Sequence, residues 1–548
     1  MKARFYIKDK IFIFAVLLSA VIVNTSFSAG IKLSDERTYK ASIETSPGKT
    51  LYIDRSQADV RISGTAKNEI QAEAVIEISD MEPELREEYF KNCRLSLKPF
   101  KDGFKLKLDF PDSDYFKKRR GILNKLISLL SGSNISTSVI LEIKLPADYS
   151  LMIRNEFGDM DIYGLNGSLL VKNSSGEVFV NKCGGQLDLE NSFSLIEIKD
   201  FAGSCLVRGS SCPIVIKNIK GDLRADNSFN DLTFEDIGGK AEIKSESSRI
   251  SGKNIGMNCS VTSSFNPIEI SNVKGRLDIN GKSCAVTVQN TEGDVFIESS
   301  FDPVIVRNVK GELEIKSHSS PVTADSVGKR VYIKTTFSEI TAKHINGPLE
   351  IDGESCPVTV FDVKNDVEIA STFSDVEVKK IDGRLYISSQ SAKITAVNIK
   401  KDVDIKSTFN PISVENAGGH VNINGNSCSA AVHGAAGDIR IKNTFNPVTV
   451  SGSAGSILVD SKSSPIEVSD IKAVPAGGFI KLYTSFSPVK LFIPKGVQPK
   501  VTLKSQFGKV RSDFPVYLND EDIEEMEIGK DDIRIDIRTD SDITIRKD

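Results

Sequence analysis

Ser263–Gly275 reads SSFNPIEISNVKG, and Ser299–Gly311, 36 residues further on, reads SSFDPVIVRNVKG. In each, apolar residues stand at alternate positions (Ile268 and Ile270; Val304 and Val306) before an Asn and a Gly. Alternation with a period of two marks a strand with one buried face, and the Asn and Gly mark a turn. Gly275, Gly293, Gly311 and Gly383 are expected to take left-handed backbone there, which costs little without a Cβ. Asn218, Asn272 and Asn308 suit the same turn.

Working outward, Phe recurs at this spacing from Phe157 through Phe193 and Phe229 to Phe445. Phe486 and Phe507 follow at irregular intervals. Between successive Phe stands a small residue in a similar phrase, such as Cys212, Ser248, Cys284, Ser320, Cys356 or Ala392. The 36-residue unit therefore reads as two half-units of about 19 and 17 residues, each with a strand, a turn and a second strand. One half-unit cannot bury its apolar side, but a stack can, which predicts an all-β, single long parallel β-solenoid of about 17–19 residues per coil. About twenty coils at about 4.8 Å would give a rod roughly 95 Å long. A β-propeller takes four to eight blades, whereas this chain carries at least nine units with self-similar halves.

Parity counting places Phe301 on the inward side with Val295 and Ile297, and Cys356 inward with Val358 and Val360. The expectation is an interior column in which Phe alternates with a small residue, with a bulge at the residue after each Phe (Asn266, Asp302).

The ends differ from the repeats. Lys2, Arg4, Lys8 and Lys10 precede an apolar run, Ile11 to Val23, and small residues up to Ala29. That order predicts a signal peptide over 1–29 and an exported protein: periplasmic, cell-surface or extracellular. Residues 30–150 read as a β-rich N-terminal cap with a short helix from Glu82 to Cys93, 151–486 as the repeats and 487–548 as a C-terminal β-rich cap. The cap holds an insertion, FKKRRGILNKLISLLSG. Its basic start (Lys117, Lys118, Arg119, Arg120) and apolar helical face (Ile122, Leu123, Leu126, Ile127) suit a membrane surface or a partner groove over 116–132, or a helix packed on the solenoid end. The acidic run from Asp520 to Glu527 reads as a solvated loop.

Charge is nearly balanced, with 70 basic and 74 acidic residues, which argues against a nucleic-acid partner. The cysteines of one column are four coils apart, about 19 Å, too far to pair, and read as small buried apolar residues. No Cys or His pair has metal-ligand spacing, the four His follow no pattern, and no nucleophile-elbow, P-loop or zinc-protease motif occurs. The expectation is no catalytic residue, no metal and no cofactor. Two outward columns stand out. One carries Asp278, Phe296, Glu314, Tyr332, Glu350, Glu368, Tyr386 and Asp404, a mixed acidic and aromatic stripe suited to a cationic, glycan or protein partner. The other is rich in Thr, but Glu269, Glu377, Glu467 and Ile305 break it, which spoils an ice-binding lattice.

The run LPADYSLMIRNEFGDMDI at Leu145–Ile162, coils such as GEVFV, and IPKGVQPKVTLKSQFG at Ile493–Gly508 resemble the bacterial β-strand-repeat family of candidate adhesins, a domain of unknown function. The resemblance covers most of the chain beyond residue 29. It implies a β-solenoid on the cell envelope or surface, and it brings no catalytic residues. This chain departs from simpler members in its length and in its recurrent Phe, Cys and Pro. The alternatives to an adhesive scaffold are a self-assembling structural envelope protein and a glycan-active β-helix enzyme.

Overall fold

The computed structural model describes residues 34–79, 81, 83–111, 136–514 and 532–548. The signal segment, the basic and apolar insertion and the acidic run lie outside the described residues. The described chain is a single parallel β-solenoid, 64% strand, with about 18 turns of about 18 residues. The one short helix, Pro83–Asn92, is where the sequence predicts it.

Each coil is two strands. Ile268–Val273 lies in one sheet, a turn through Gly275 follows, and Leu277–Lys282 lies in the other. In the regular coils each strand pairs in parallel with the strand 18 residues on, as Ile268 does with Val286 and Leu277 with Val295. Alternation does the rest: Ile268, Ile270, Val273, Leu277 and Ile279 face inward and are at most 3% exposed. Parallel stacking hides both edges of each coil behind its neighbours, so only the two ends of the array need covering.

The stack begins ahead of residue 151. Thr50–Ser56 and Asp59–Thr65 pair in parallel with Ser150–Asn155 and Met160–Tyr163. Beyond them, Ser136–Pro146 pairs antiparallel with Glu69–Ser79, which in turn pairs antiparallel with Ser34–Glu44. The helix closes this end with buried Tyr89 and Phe90, and Tyr39 donates its hydroxyl to the Phe90 carbonyl at 2.7 Å. At the other end the chain doubles back. Arg534–Thr539 and Ile543–Lys547 slot between the coil of Phe479–Ile493 and the last coil, Lys500–Ser512.

Three sequence expectations are corrected. The half-units are not 19 and 17 residues: the register is a uniform 18, with Ser264 opposite Lys282 and Ile268 opposite Val286, and no bulge intervenes after Phe265. The apparent 19 and 17 came from matching Phe with Cys, which occupy successive places at the corner. The second correction follows from the first: Phe is not an interior residue. Phe265, Phe301 and Phe337 are 71%, 61% and 63% exposed, while Cys284 and Cys356 are fully buried. The third concerns the turn glycines. Gly275, Gly293, Gly311 and Gly383 are not left-handed, whereas Asn272, Asn290 and Asn308 are, with φ of 57°, 56° and 58°. Gly is needed there for close approach, since a Cβ on Gly293 would stand 2.3 Å from the carbonyl oxygen of Gly275.

Candidate interaction surface

The corner that leads from the second sheet back to the first is built from three successive places. Two residues before each Phe stands an Asn, Ser or Thr, and at several coils its side chain braces the main chain of the neighbouring corner. Asn227 Nδ2 donates to the carbonyls of Cys212 (2.9 Å) and Asn230 (3.0 Å), and Ser299 Oγ donates to the Cys284 carbonyl (3.1 Å). In the Ser coils the residue after the left-handed position turns inward as Cys, Ser or Ala, whereas in the Phe coils that place holds Asn, Asp or Ser, for the most part half-buried. The left-handed residue itself points out, because positive φ reverses the side that the extended chain would have offered.

In alternate coils that left-handed residue is Phe or Ser. Phe265, Ser283, Phe301 and Ser319 have φ of 68°, 51°, 66° and 54°. A left-handed backbone costs a residue with a Cβ roughly 1–2 kcal/mol, and a ring that stays mostly in water recovers little of it by burial. Ser fills the same place in the intervening coils, so the fold does not require Phe. Eleven Phe, from Phe157 to Phe507, are each 61% exposed or more. At about 200 Å² per Phe residue, they expose on the order of 1,400 Å² along one corner.

The flank of this ladder alternates too. The residue before each Phe is a small hydroxyl in the regular coils (Ser264, Ser300, Thr336, Thr372), and from Ser247 to Ser463 the residue before each corner Ser is larger (such as Glu246, Lys282, His318, Glu354). The Phe301 ring meets the His318 ring edge-on at 5.7 Å.

The acidic and aromatic stripe is a true column of the second sheet. Asp278, Phe296, Glu314, Tyr332, Glu350, Glu368, Tyr386 and Asp404 are in consecutive register. Much of it is engaged within the chain. Arg276 pairs with Asp278 at 2.6 Å and covers the Phe296 ring at 4.0 Å. Lys316 pairs with Glu314 and Arg330 with Glu350, and Lys406 lies over Tyr386. Exposed pairs of this kind contribute about 0–1 kcal/mol each, enough to order the face. The Thr column of the first sheet is equally regular, with Thr323, Thr341 and Thr359 in line.

At the other corner the left-handed Asn residues form an amide ladder. Asn272 donates to Asn254 (2.8 Å), Asn290 to Asn272 (3.0 Å) and Asn308 to Asn290 (3.0 Å). A shallow groove of about 1120 Å³ follows it from Asn218 to Asn346. Its amides are already bonded to one another along the stack, so the ladder stiffens the corner.

All eight cysteines are buried and unpaired, as the spacing predicts for the column of Cys212, Cys284, Cys356 and Cys428. Burial pushes the Cys205 and Cys259 thiols up to about 12 and the Cys93 thiol up to about 11. The four His lie apart on the surface, each with a single ring-nitrogen contact, such as His344 to Asp325 at 2.8 Å and His433 to Ser451 at 2.7 Å. Among the described residues no three His, Cys, Asp or Glu gather in a way that could hold a metal ion.

No protein-family profile matches the sequence, and no curated protein matches it. Among solved structures, the chain is similar to a crystal structure from Parabacteroides distasonis ATCC 8503 that bears the name "Putative lipid binding protein". The match has 11% identity and a TM-score of 0.14, and covers 71% of this chain and 96% of that one. A likeness of that size carries no functional argument.

Sequence reasoning placed the stripe and the Thr column correctly and missed the Phe corner as a surface. The signal was present: counting a uniform 18 from any Phe between Phe193 and Phe445 lands on Ser.

Proposed function

We propose that this chain is an exported, non-enzymatic scaffold of the cell envelope or cell surface that makes its contacts along its length, in the manner of an adhesin. The observation that carries the reading is the Phe corner. Eleven rings are held in water, eight of them on left-handed backbone, at places where the same fold accepts Ser. The basic and apolar order of residues 2–29 supports export, and the near-uniform coils offer long faces instead of a walled cleft. The mixed stripe on the second sheet is a secondary contact face, for a partner able to displace its surface ion pairs.

Cell fractionation with protease shaving of intact cells tests this. The expected result is recovery with the envelope and digestion by protease added outside the cells. Recovery in the cytosol, or complete protection within the periplasm, overturns the adhesive reading. In the same assay, Ser at Phe265, Phe301, Phe337 and Phe373 is expected to weaken envelope association while leaving export intact.

A further inference from the structure

We propose that the Phe corner is the seam of an antiparallel homodimer in which the rings of two copies interleave. The inference rests on the reading of that corner as a contact surface and names its occupant.

The spacing selects the partner. Phe stands in every second coil, so neighbouring rings are about 9.6 Å apart along the axis, twice the strand spacing. A ring inserted midway would have neighbours at about 4.8 Å, within the 4.5–7 Å range of aromatic pairs. Filling every gap takes a surface with apolar groups at the same long period. This chain carries such a surface.

The flank fits as well. Interleaving sets each Phe coil of one copy beside a Ser coil of the other. From Phe193 to Phe486 the residues before Phe are hydroxyls, while Glu246, Lys282, His318 and Glu354 precede Ser. In registers that set the Ser coils against Phe193 to Phe486, each of these larger side chains therefore meets a Ser or Thr, and no like charges face each other there. The area suffices too: roughly 1,400 Å² of exposed Phe per copy exceeds the ~800 Å² per partner of a standard stable interface.

Symmetry sets the direction. A twofold axis along the rod would bring Phe level with Phe, and a parallel shift by one coil would leave an open, non-closing contact. A twofold axis across the rod reverses the second copy and can shift it by one coil, so it both closes and interleaves. Two registers set eight rings against Ser, and in one of them Phe337 lies against Ser355 of the second copy, Phe301 against its Ser391 and Phe265 against its Ser427.

Sedimentation equilibrium on the purified protein, expressed as the full chain, tests the proposal. The expected mass is twice that of one chain, falling to one chain in the combined variant Phe265→Ser, Phe301→Ser, Phe337→Ser and Phe373→Ser, with the circular dichroism of a folded solenoid unchanged. Nitroxide labels give the direction. A label on Ser355→Cys is expected to show a short interchain distance, and one on Ser463→Cys a distance of roughly 60 Å, since those sites would lie thirteen coils apart. A single-chain mass for the unsubstituted protein, a dimer that survives the four substitutions, or short distances at both labels overturns the proposal. So does a monomer that sediments with phosphatidylcholine and phosphatidylglycerol vesicles through its Phe residues. If the protein is monomeric but the Ser variant still loses the envelope, the dimer falls and the contact reading stands. If the dimer is lost without effect on the envelope, the scaffold function falls instead.

Discussion

Ser283 and Phe301 occupy the same corner position in neighbouring coils, both on left-handed backbone, with φ of 51° and 66°. One is a small hydroxyl and the other a ring that is 61% exposed. The corner is therefore indifferent to the side chain it carries, which gives the first prediction. At dilutions where the single chain is read, Phe301→Asn should leave stability unchanged or raise it by up to about 1 kcal/mol, since Asn tolerates left-handed backbone better. Had Phe301 been interior, its removal would cost about 3–5 kcal/mol. Thermal melting separates the two outcomes, and a large drop would return the ring to the core.

Gly293 provides the second. Its φ is ordinary, and a Cβ would press to 2.3 Å from the Gly275 carbonyl oxygen and 2.8 Å from the Arg276 nitrogen. Because these contacts are backbone, neighbouring coils must part to admit any side chain. Gly293→Ala and Gly293→Asn should then be equally harmful, each by about 1–3 kcal/mol, as for other overpacked sites. If left-handed backbone were the reason for Gly, Asn would be tolerated and Ala would not. Melting temperatures of the pair decide it.

Much of the fold was legible because a parallel stack multiplies one local pattern. Ile268, Ile270, Leu277 and Ile279 alternate in the sequence and are all buried, and the stripe from Asp278 to Asp404 follows from counting coils. The Phe corner was not legible by parity. Parity assumes an extended chain, and a single left-handed residue such as Phe301 inverts it. Nothing in the letters SSF announces that inversion, since Ser283 takes it as readily as Phe301 does. The turn glycines misled for a related reason: Gly293 relieves crowding between coils, which is a property of the stack and not of one turn. What lay in the letters was the 18-residue alternation of Phe with Ser, visible only once the register is taken as uniform.

That alternation conceals a longer one in the corner interior. Where the small inward residue is Cys (Cys212, Cys284, Cys356, Cys428), the residue three before it is Gly (Gly209, Gly281, Gly353, Gly425). Where it is Ser, as at Ser320 and Ser464, the earlier residue is also Ser (Ser317, Ser461). A Cβ on Gly281 would meet Cys284 Cβ at 3.1 Å and Sγ at 3.5 Å, so the two places share one volume. Gly281→Ser should therefore destabilise by about 1–3 kcal/mol, and adding Cys284→Ser should restore most of the loss by reproducing the pair at Ser317 and Ser320. A double-mutant cycle read by melting is expected to be strongly non-additive, as neighbours in one cavity are. Additive losses would show that the pairing is incidental.

The buried thiols make the last prediction, an alkaline weakening of the solenoid. Burial raises Cys205 and Cys259 to about 12 and Cys93 to about 11, against about 8.5 in an unfolded chain. Between those values the unfolded chain has released protons that the folded chain still holds. Stability is then fully present below about pH 8.5 and declines as pH rises towards the folded values. Melting temperature should fall steadily from pH 8.5 to 10.5, and Cys259→Ala should flatten the slope even though it lowers the starting value by opening a cavity. Thiol reagents report on the same groups, since a buried neutral thiol is a poor nucleophile. At pH 8 the folded protein should react with none of its cysteines on a timescale of minutes and with all eight once denatured. A thiol that reacts rapidly in the folded state would mark a coil that opens locally, and an unchanged slope in Cys259→Ala would sink the linkage.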